Sequence, residues 1–380
     1  MRLLIVTHYF PEHRGGIEIV AGELARRLAQ RGASVTWAAS ETPGDPGPVL
    51  PGLQRVPMRA YNFTENRLGF PYPIWTPAGV RRLSHLVARC DIVHLHDSLY
   101  LGNVLACRLA KRYGKPVVVT QHIGAIPYKN PLLRGLLRVA NRTLARRVLT
   151  GCARSIFISP RVRDYFARFV RFRSPPLYWP NGVDTDRYRP ATEEQRREIR
   201  ARFNCSAARP MLLFVGRFVE KKGLLVLREA ARQLPNCDFV FAGWGALDPR
   251  GWKLPNVRCL GSLSAAELVP YYRAADLLVL PSVGEGFPLV VQEAAACGTP
   301  ALISRETAEG HPDIDAFAYV TDPDVATVVR RLGEILSHRD ELGERRRTAA
   351  EYARRHWDWE TLADRYRALF EELCQTPNAS

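Results

Sequence analysis

Glu285 and Glu293 stand eight positions apart in the segment EGFPLVVQE, around a Gly-Phe-Pro turn and an apolar strip. Such a pair can be an acid and a base, the two ends of one ligand's binding site, or the solvated flanks of a buried helix. The apolar run DLLVLPS before it predicts a strand, so the turn should lead from a strand end into a helix. Pro288 suits the first position of that helix, where its missing N–H would be unsatisfied in any case.

The start of this helix predicts an anion site. Backbone N–H groups and the positive end of the helix dipole attract phosphates there. Glu293 should lie about a turn and a half inside the helix, which separates the two carboxylates by roughly a diphosphate and a sugar ring. This spacing favours two ends of one ligand, with Glu285 accepting from a transferred sugar and Glu293 from ribose hydroxyls. The loop residues expected to contact the sugar or phosphate are Gly286, Phe287, Pro288 and Leu289.

Two basic residues in VGRFVEKKG, residues 215–223, are placed to bind the same phosphates. Arg217 leaves the end of a predicted strand and Lys222 precedes the next helix, so the two cations can converge on one ligand. Basic residues after strands are common, so this pattern alone is weak evidence for a phosphate site. Glu285 and Glu293 provide the further support.

The first half of the chain holds two further candidates. FPEHRGGIEIV carries Gly15 and Gly16 at the expected start of a helix, where they allow close approach to a ligand or form an ordinary tight turn. Their spacing is not the G-x-G-x-x-G of dinucleotide-binding folds, so hydride transfer gains no support. His122 follows the predicted strand in TQHIG, where it either contacts a ligand or is structural.

Apolar runs alternate with helical patterns twice along the chain, which predicts an α/β protein with two doubly wound parallel sheets. The first set is LLIVT, SVTWAAS, DIVHLH, PVVVTQH and SIFIS, and the second is MLLFVGR, DFVFAG, NVRCLG, DLLVLPS and TPALIS. We expect one Rossmann-like domain over residues 1–179 and a second Rossmann-like domain over 180–355. A final helix over 356–380 should pack on the first domain. Ligands should bind in the cleft between the carboxyl ends of the two sheets.

The net charge of +16 resides in the first half. Residues 1–175 hold 27 Lys and Arg against 9 Asp and Glu, whereas residues 176–380 hold 27 against 29. This excess implies an anionic partner: a membrane surface, a phosphorylated acceptor or nucleic acid. No recognised nucleic-acid motif occurs, so we do not expect a nucleic-acid partner.

The basic residues are concentrated in residues 129–173, which hold twelve Lys and Arg and a single acid, Asp164. The segment NPLLRGLLRVANRTLARRVLTG predicts one basic amphipathic helix, which can dock on anionic headgroups. An ordinary helix whose leucines pack on the sheet is the alternative, and the two are compatible. The arginines that recur every four positions are Arg134, Arg138, Arg142 and Arg146.

The remaining composition narrows the class of protein. Eight cysteines occur singly, without C-x-x-C spacing, which argues against a disulfide framework and a zinc site. MRLLIVTHYF reads as a first strand, and no apolar stretch reaches 18 residues. We therefore expect a cytoplasmic protein, with peripheral contact to the inner face of the cell membrane.

The sequence resembles the retaining family-4 glycosyltransferases of GT-B fold over nearly its whole length. The resemblance rests on GG, VGRFVEKKG, PNGVD, EGFPLVVQEAAACGTP and HWDWETLADRYRALF. It implies sugar transfer from a nucleotide-sugar co-substrate with retained configuration. It also implies that the domain over 1–179 lies on the acceptor side and that the domain over 180–355 binds the nucleotide sugar. After GTP the chain departs from the family pattern, because ISRETAEGHPDID replaces the usual Gly-Gly and Glu. The implied roles are donor diphosphate binding for Arg217, Lys222 and Gly16, ribose binding for Glu293, and catalytic contact with the donor sugar for His122 and Glu285.

The implied reaction needs charge stabilisation. Cleavage between the anomeric carbon and the phosphate leaves negative charge on the diphosphate, which Arg217 and Lys222 would stabilise without a metal ion or bound cofactor. The expected acceptor is a lipid-linked saccharide or glycolipid of cell-envelope or surface polysaccharide synthesis, and a soluble acceptor is the alternative. A glycoside hydrolase would instead need carboxylates about 5 to 9 Å apart and no phosphate-binding cations.

Overall fold

The structure, a computed structural model, forms two compact units. Unit 1 comprises Met1–Asn181 and Glu360–Ser380, and unit 2 comprises Gly182–Trp359. Lys129 of the predicted basic region and residues 376–380 of the predicted last segment lie outside the described residues. The structure describes residues 1–13, 15–41, 50–61, 72–125, 130–203, 205–206 and 208–375.

A parallel sheet forms the centre of unit 1. Its strands are β1 (Arg2–Val6), β2 (Ser34–Ser40), β3 (Leu53–Met58), β6 (Ile92–His96), β7 (Val117–Gln121), β8 (Arg154–Phe157) and β9 (Leu177–Tyr178), and β4 (Ala60–Tyr61) and β5 (Ile74–Trp75) form a separate hairpin. The order in the sheet is β3-β2-β1-β6-β7-β8-β9. Every residue of β6 and β7 is buried, as in a parallel sheet whose two faces are both covered.

Helices of unit 1 connect these strands. Pro77 occupies the start of one of them, and the Thr76 hydroxyl caps it by accepting from the Gly79 N–H at 3.2 Å. The helices are α1 (Gly16–Gln30), α2 (Pro77–Arg89), α3 (Leu101–Arg112), α4 (Pro131–Ala140), α5 (Arg146–Gly151) and α6 (Pro160–Ala167).

The basic segment is not the single regular helix that the sequence predicts. A π-helical turn, Asn141–Ala145, separates α4 from α5 and changes which face meets the sheet. After that turn Val148 and Leu149 are buried, whereas α4 has no buried residue. The expectation of one continuous apolar face is therefore wrong, because the wider turn breaks the 3.6-residue period. The large apolar side chains of α4 that remain exposed are Leu132 (83%), Leu136 (66%) and Val139 (59%).

A second parallel sheet forms the centre of unit 2. Its strands are β10 (Met211–Arg217), β11 (Asp238–Trp244), β12 (Val257–Gly261), β13 (Leu277–Leu280), β14 (Ala301–Ser304) and β15 (Ala318–Thr321). They lie in the order β12-β11-β10-β13-β14-β15. The α-helices are α7 (Glu193–Arg202), α8 (Leu224–Gln233), α9 (Ala265–Ala274), α10 (Leu289–Ala296), α11 (Arg305–Ala308), α12 (Val325–Ser337) and α13 (Arg339–His356).

The last helix, α14 (Trp359–Gln375), contacts the sheet and first helix of unit 1. The Tyr366 hydroxyl lies 3.0 Å from Thr120 Oγ1 at the end of β7. Arg31 at the end of α1 donates to Asp364 at 2.6 Å. None of the described helices combines the length and apolar character that a membrane span requires.

Asp276 joins α7 to the sheet of unit 2 just before β13. Its carboxylate accepts from Arg200 Nη1 at 2.9 Å, from the Met211 N–H at 2.7 Å, and from Arg196. Burial lowers the pKa of the neighbouring Arg346 to about 10, as does the charge of Arg196, while Asp276 opposes the shift. Asp276 is therefore the carboxylate that Arg196 and Arg200 share, and it also lies near Arg346.

Candidate active site

The loop after β13 is held against the segment that carries Lys222. Lys222 ends a 3-10 turn, and α8 begins after Gly223, which has a φ of +81°. A Cβ at Gly223 would lie 2.7 Å from the Pro281 carbonyl oxygen, so only glycine fits. The Val283 N–H donates to the Lys221 carbonyl at 2.8 Å. The fold therefore fixes the position from which Lys222 extends.

Lys222 and Glu285 form an ion pair at this point. Lys222 Nζ lies 3.1 Å from Glu285 Oε1, and Lys221 Nζ lies 3.7 Å from the same oxygen. The side chains of Glu285 and Lys222 are 16% and 14% exposed, whereas that of Lys221 is 50% exposed. Lys222 is thus the more fixed of the two cations. A phosphate placed here would compete with the Glu285 carboxylate for it.

Phe287 anchors the loop from the interior. The residue is 3% exposed, so the ring is part of the core. Burial of an aromatic ring at this point limits the freedom of the residues on either side of it. The rings it contacts, at centroid distances of 5.1 to 6.0 Å, belong to His311, Phe317 and Trp357.

Pro288 lies one position earlier in the helix than the sequence predicts. It is the N-cap of α10, with φ −70° and ψ 131°, and Leu289 is the first helical residue. The expectation that Pro288 takes the first helical position is wrong because its backbone is extended where it leaves the turn. Its carbonyl accepts from the Val291 N–H at 3.1 Å, which starts the helix in a tight turn.

The segment after β14, where the sequence departs from the family pattern, supports the same loop. Glu306 Oε1 accepts from the Gly284 N–H at 3.0 Å. A Cβ at Gly310 would collide with the Gly286 carbonyl oxygen, so the two chains are in close contact. Glu306 was not predicted from the sequence, although an acid two residues after a strand beside the site was a usable signal.

Glu293 lies inside α10 with its carboxylate fixed by tyrosines. The Tyr272 hydroxyl donates to Glu293 Oε2 at 2.7 Å, and Tyr188 forms a second hydrogen bond. Burial raises the pKa of Glu293, and the two tyrosines oppose that shift. Neither tyrosine was predicted from the sequence. Glu285 and Glu293 contact different groups, and their assignment to the two ends of one ligand stays a prediction.

Arg217 is the last residue of β10, and its side chain is exposed. Its guanidinium carbon lies 5.1 Å from the centroid of the Trp244 ring. An exposed guanidinium at the carboxyl end of a strand is accessible to an anion. The sequence analysis missed Trp244, for which the signal was a tryptophan between two glycines at a strand end.

His122 lies directly after β7 in unit 1 and is 5% exposed. Its Nε2 lies 3.0 Å from His96 Nδ1, and its backbone N–H donates to Asp97 Oδ1 at 3.1 Å. Burial lowers the pKa of His122 to about 3, so the imidazole is neutral near pH 7. His122 can therefore exchange hydrogen bonds with a ligand but supplies no positive charge.

Asp97 organises the strand end beside His122. It adopts a positive φ of 68°, and its Oδ1 accepts from Gln121 Nε2 at 2.5 Å and from the Ile123 N–H at 3.2 Å. Burial raises the pKa of Asp97 to about 7, against these hydrogen bonds. The sequence analysis did not single out Asp97, although an acid at the end of the buried run DIVHLH was a usable signal.

Gly16 is the first residue of α1, and Gly15 is its N-cap. Glu18 is 1% exposed, and its Oε1 lies 3.0 Å from His8 Nε2 and 3.6 Å from His13 Nδ1. Burial opposes its charge, but the histidines outweigh burial and lower the pKa of Glu18 to about 2. A Cβ at Gly15 would collide with this carboxylate. The role of Gly16 in binding diphosphate stays a prediction, and any anion there would meet Glu18.

Within the described ranges, no group of three or more His, Cys, Asp or Glu side chains is placed to hold a metal ion. Asp184, for example, instead accepts from the Arg187 N–H at 3.1 Å. Three Asp-x-Asp pairs occur in the sequence, at residues 184 and 186, 313 and 315, and 322 and 324.

Two family models match most of the chain. The model for glycosyltransferase family 4 matches residues 14–187, and that for glycosyl transferases group 1 matches residues 209–338. A D-inositol 3-phosphate glycosyltransferase of Nocardiopsis dassonvillei is 30% identical over 336 residues, covering 77% of this chain and 74% of the relative. The chain belongs to the family-4 glycosyltransferases.

This family-4 glycosyltransferase is also similar to a protein with phosphatidylinositol in its name. The GDP-mannose-dependent alpha-(1-6)-phosphatidylinositol monomannoside mannosyltransferase of Mycobacterium tuberculosis is 26% identical over 395 residues, covering 95% of this chain and 96% of the relative. The crystal structure of Anabaena HepE in complex with UDP-glucose matches with a TM-score of 0.75 at 16% identity, over 98% of this chain and 100% of that one. The predicted family and the predicted GT-B fold class, with two Rossmann-like domains, are confirmed.

Proposed function

We propose that this family-4 glycosyltransferase moves a sugar from a nucleotide-sugar donor to an acceptor with retained configuration and without a metal ion. The observation that carries the proposal is the ion pair of Lys222 with Glu285, directly before the start of α10. Glu293 on the same helix supplies a second, separately held carboxylate. A cation for phosphate, a carboxylate for the sugar and another for the ribose suit the three parts of a nucleotide sugar. The likeness to HepE, which binds UDP-glucose, supports a donor of this class.

The proposed chemistry separates charge. Breaking the bond between the anomeric carbon and the phosphate leaves positive charge on the sugar and negative charge on the nucleoside diphosphate. Lys222, Arg217 and the N–H groups at the start of α10 would stabilise the negative charge. Glu285, released from Lys222 by the phosphate, would accept a hydrogen bond from the sugar. Attack by the acceptor on the face that the diphosphate leaves would retain configuration.

Replacing Glu293 with glutamine should lower kcat/KM for the donor by about ten- to a hundredfold. A charged acceptor of hydrogen bonds contributes about 1.5–3 kcal/mol, and glutamine removes the charge while keeping the shape. The measurement is product formation with a panel of UDP-, GDP- and ADP-sugars, after thermal protection of the wild type has identified the donor. Glu194→Gln on the exposed face of α7 is the control and should behave as wild type. Wild-type turnover by Glu293→Gln would contradict the donor-site assignment.

Activity should persist in excess chelator. Lys222 and Arg217 would hold the diphosphate where other enzymes use a divalent cation, so removing free Mg²⁺ and Mn²⁺ should change initial rates by less than about twofold. The assay compares rates in EDTA with rates after adding back each cation. Complete loss in EDTA that Mg²⁺ or Mn²⁺ restores would show that the reaction needs a metal.

The acceptor is proposed to be a lipid-linked saccharide or glycolipid at the inner membrane face. On α4 the exposed apolar residues lie at positions i, i+4 and i+7, which places them along one side of the helix. Arg134 and Arg138, on the same helix, are also exposed, so a basic and an apolar surface occur together. This combination suits a helix that lies in the headgroup region of an anionic bilayer. The mannosyltransferase with phosphatidylinositol in its name supports a lipid acceptor, whereas the D-inositol 3-phosphate enzyme supports the soluble alternative.

The wild type should co-sediment with vesicles that contain anionic phospholipid at low salt, and high salt should release it. Each nearby cation contributes about 1 kcal/mol to such binding, so changing Arg134, Arg138 and Arg142 together to Glu should abolish it. The matched control places the same charge change on exposed arginines of α13, at Arg339, Arg347 and Arg354. If the wild type ignores the vesicles, or if both triple variants bind equally, the soluble acceptor becomes the better proposal.

A further inference from the structure

We propose that Trp244 is a positioning residue for the donor diphosphate, because it holds the Arg217 guanidinium in a phosphate-binding orientation. The proposal rests on the proposed function in assigning the diphosphate to Arg217. Arg217 and Trp244 are register partners at the last positions of the parallel strands β10 and β11. Their side chains meet at the carboxyl edge of the sheet, with the guanidinium carbon 5.1 Å from the ring centroid. That separation is within the range of a cation–π contact.

The backbone around Trp244 is fixed by close contacts between the two strand ends. Gly243 has a φ of +150°, and a Cβ there would collide with the Gly216 carbonyl oxygen. The Phe218 N–H donates to the Trp244 carbonyl at 2.6 Å. The chain can therefore place Trp244 beside Arg217 only because glycine precedes it. The tryptophan is held in register with the arginine rather than on a free loop.

The side chain of Trp244 does not complete the core. It is 44% exposed, whereas Phe214, Phe218 and Phe241 on the same two strands and the turn after them are each at most 2% exposed. Large aromatic side chains stabilise a fold mainly by the apolar surface that they bury, so a half-exposed tryptophan contributes little in this way. The contact with Arg217 is therefore the interaction through which Trp244 would act.

The contact with the ring would prepare Arg217 for an anion. A free arginine side chain samples many rotamers and loses that freedom when it binds phosphate. A ring that already limits the guanidinium reduces the entropy lost on binding, as preorganisation does in general. The guanidinium carbon lies over the indole ring, and the guanidinium N–H groups would then donate to phosphate oxygens. Trp244 would thus act on the donor through Arg217 and not by touching it.

The test is a double-mutant cycle read by calorimetric binding of UDP and GDP. Trp244→Leu should raise the Kd of whichever nucleotide the wild type binds by about two- to fivefold, the range of an exposed cation–π contact. Trp244→Phe, which keeps an aromatic face, should stay within about twofold of wild type. In an Arg217→Ala background, Trp244→Leu should cause no further loss. Leu225→Ala, at another exposed apolar side chain of unit 2, is the control and should change nothing.

Two results would overturn the proposal. One is an equal effect of Trp244→Leu on the Kd with and without Arg217. The other is weaker binding of the free nucleosides uridine or guanosine by Trp244→Leu. Either result would mean that the ring contacts the ligand itself. A second measurement needs no ligand: the NMR order parameter of the Arg217 Nε–H should fall in Trp244→Leu, and an unchanged value also contradicts positioning. If the wild type binds neither nucleotide while the order parameter of Arg217 falls in Trp244→Leu, the proposed function fails. The positioning of Arg217 by Trp244 is then still supported.

Discussion

Lys222→Ala should lower kcat by about a hundred- to a thousandfold, the loss measured when one preorganised group that stabilises developing charge is removed. In the proposed reaction, negative charge appears on the leaving diphosphate beside the Lys222 ammonium. The Lys222 side chain is 14% exposed and its backbone is fixed by the turn that ends at Gly223, so solvent screens its charge only partly. Initial rates at saturating donor give kcat, and their dependence on donor concentration gives KM.

The neighbouring lysine is the matched control. Lys221 is 50% exposed and lies 3.7 Å from the same Glu285 oxygen, against 3.1 Å for Lys222. Lys221→Ala removes an equal charge from an adjacent position, yet it should reduce kcat by less than about fivefold because exposed charges interact weakly. Equal losses in the two variants would mean that general positive potential, and not the placement of Lys222, supports the reaction. A Lys222→Ala variant that keeps more than about a tenth of wild-type kcat would remove this lysine from the mechanism.

The residues of the site that sequence could predict are those whose roles depend on local spacing. Lys222 before a helix and Glu285 before a Gly-Phe-Pro turn can be read from a few neighbouring letters, and the structure brings these two together at 3.1 Å. The groups that hold the site come from distant positions. Tyr272 reaches Glu293 across 21 residues, and Glu306 reaches the Gly284 N–H across 22. Only the packing of one helix and loop on another creates such contacts, so periodicity could not indicate them.

Position in the sheet separates most of the predicted strands from the missed ones. The central strands read as continuous apolar runs because both of their faces are covered. Five of the described strands were not predicted. β3, β9 and β15 lie at sheet edges, where one side has no partner strand and the sequence is less constrained, although the predicted β12 is also an edge strand. β4 and β5 form the separate two-stranded hairpin. β3 even contains Pro57, which an edge strand tolerates because a missing N–H need not pair. The π-helical turn after α4 was also missed, because a single wide turn is too short to show a repeat of apolar residues in the sequence.

Asp276→Ala should lower the free energy of unfolding by about 3–5 kcal/mol, because removing one partner of a buried ion pair leaves uncompensated charge. Arg196 and Arg200 are 15% and 7% exposed and would lose their anion together, and the Met211 N–H at the start of β10 would lose its acceptor. Urea unfolding at constant m-value measures the change.

The control for Asp276 is Asp238→Ala, at the start of the neighbouring strand β11. Asp238 pairs with Arg209 at 2.7 Å, but the two side chains are 24% and 36% exposed, so its loss should cost about 0–1 kcal/mol.

The pH dependence of the free energy of unfolding gives a second criterion for Asp276. Burial raises the pKa of Asp276, but Arg196, Arg200 and the Met211 N–H outweigh it, so the folded pKa lies below the unfolded one. The stability from Asp276 is then present above about pH 4 and is lost as the pH falls through the folded pKa, so the gap between wild type and Asp276→Ala should narrow on acidification. A gap that stays constant down to pH 3, or equal losses in Asp276→Ala and Asp238→Ala, would mean that the arginine cluster does not depend on this carboxylate.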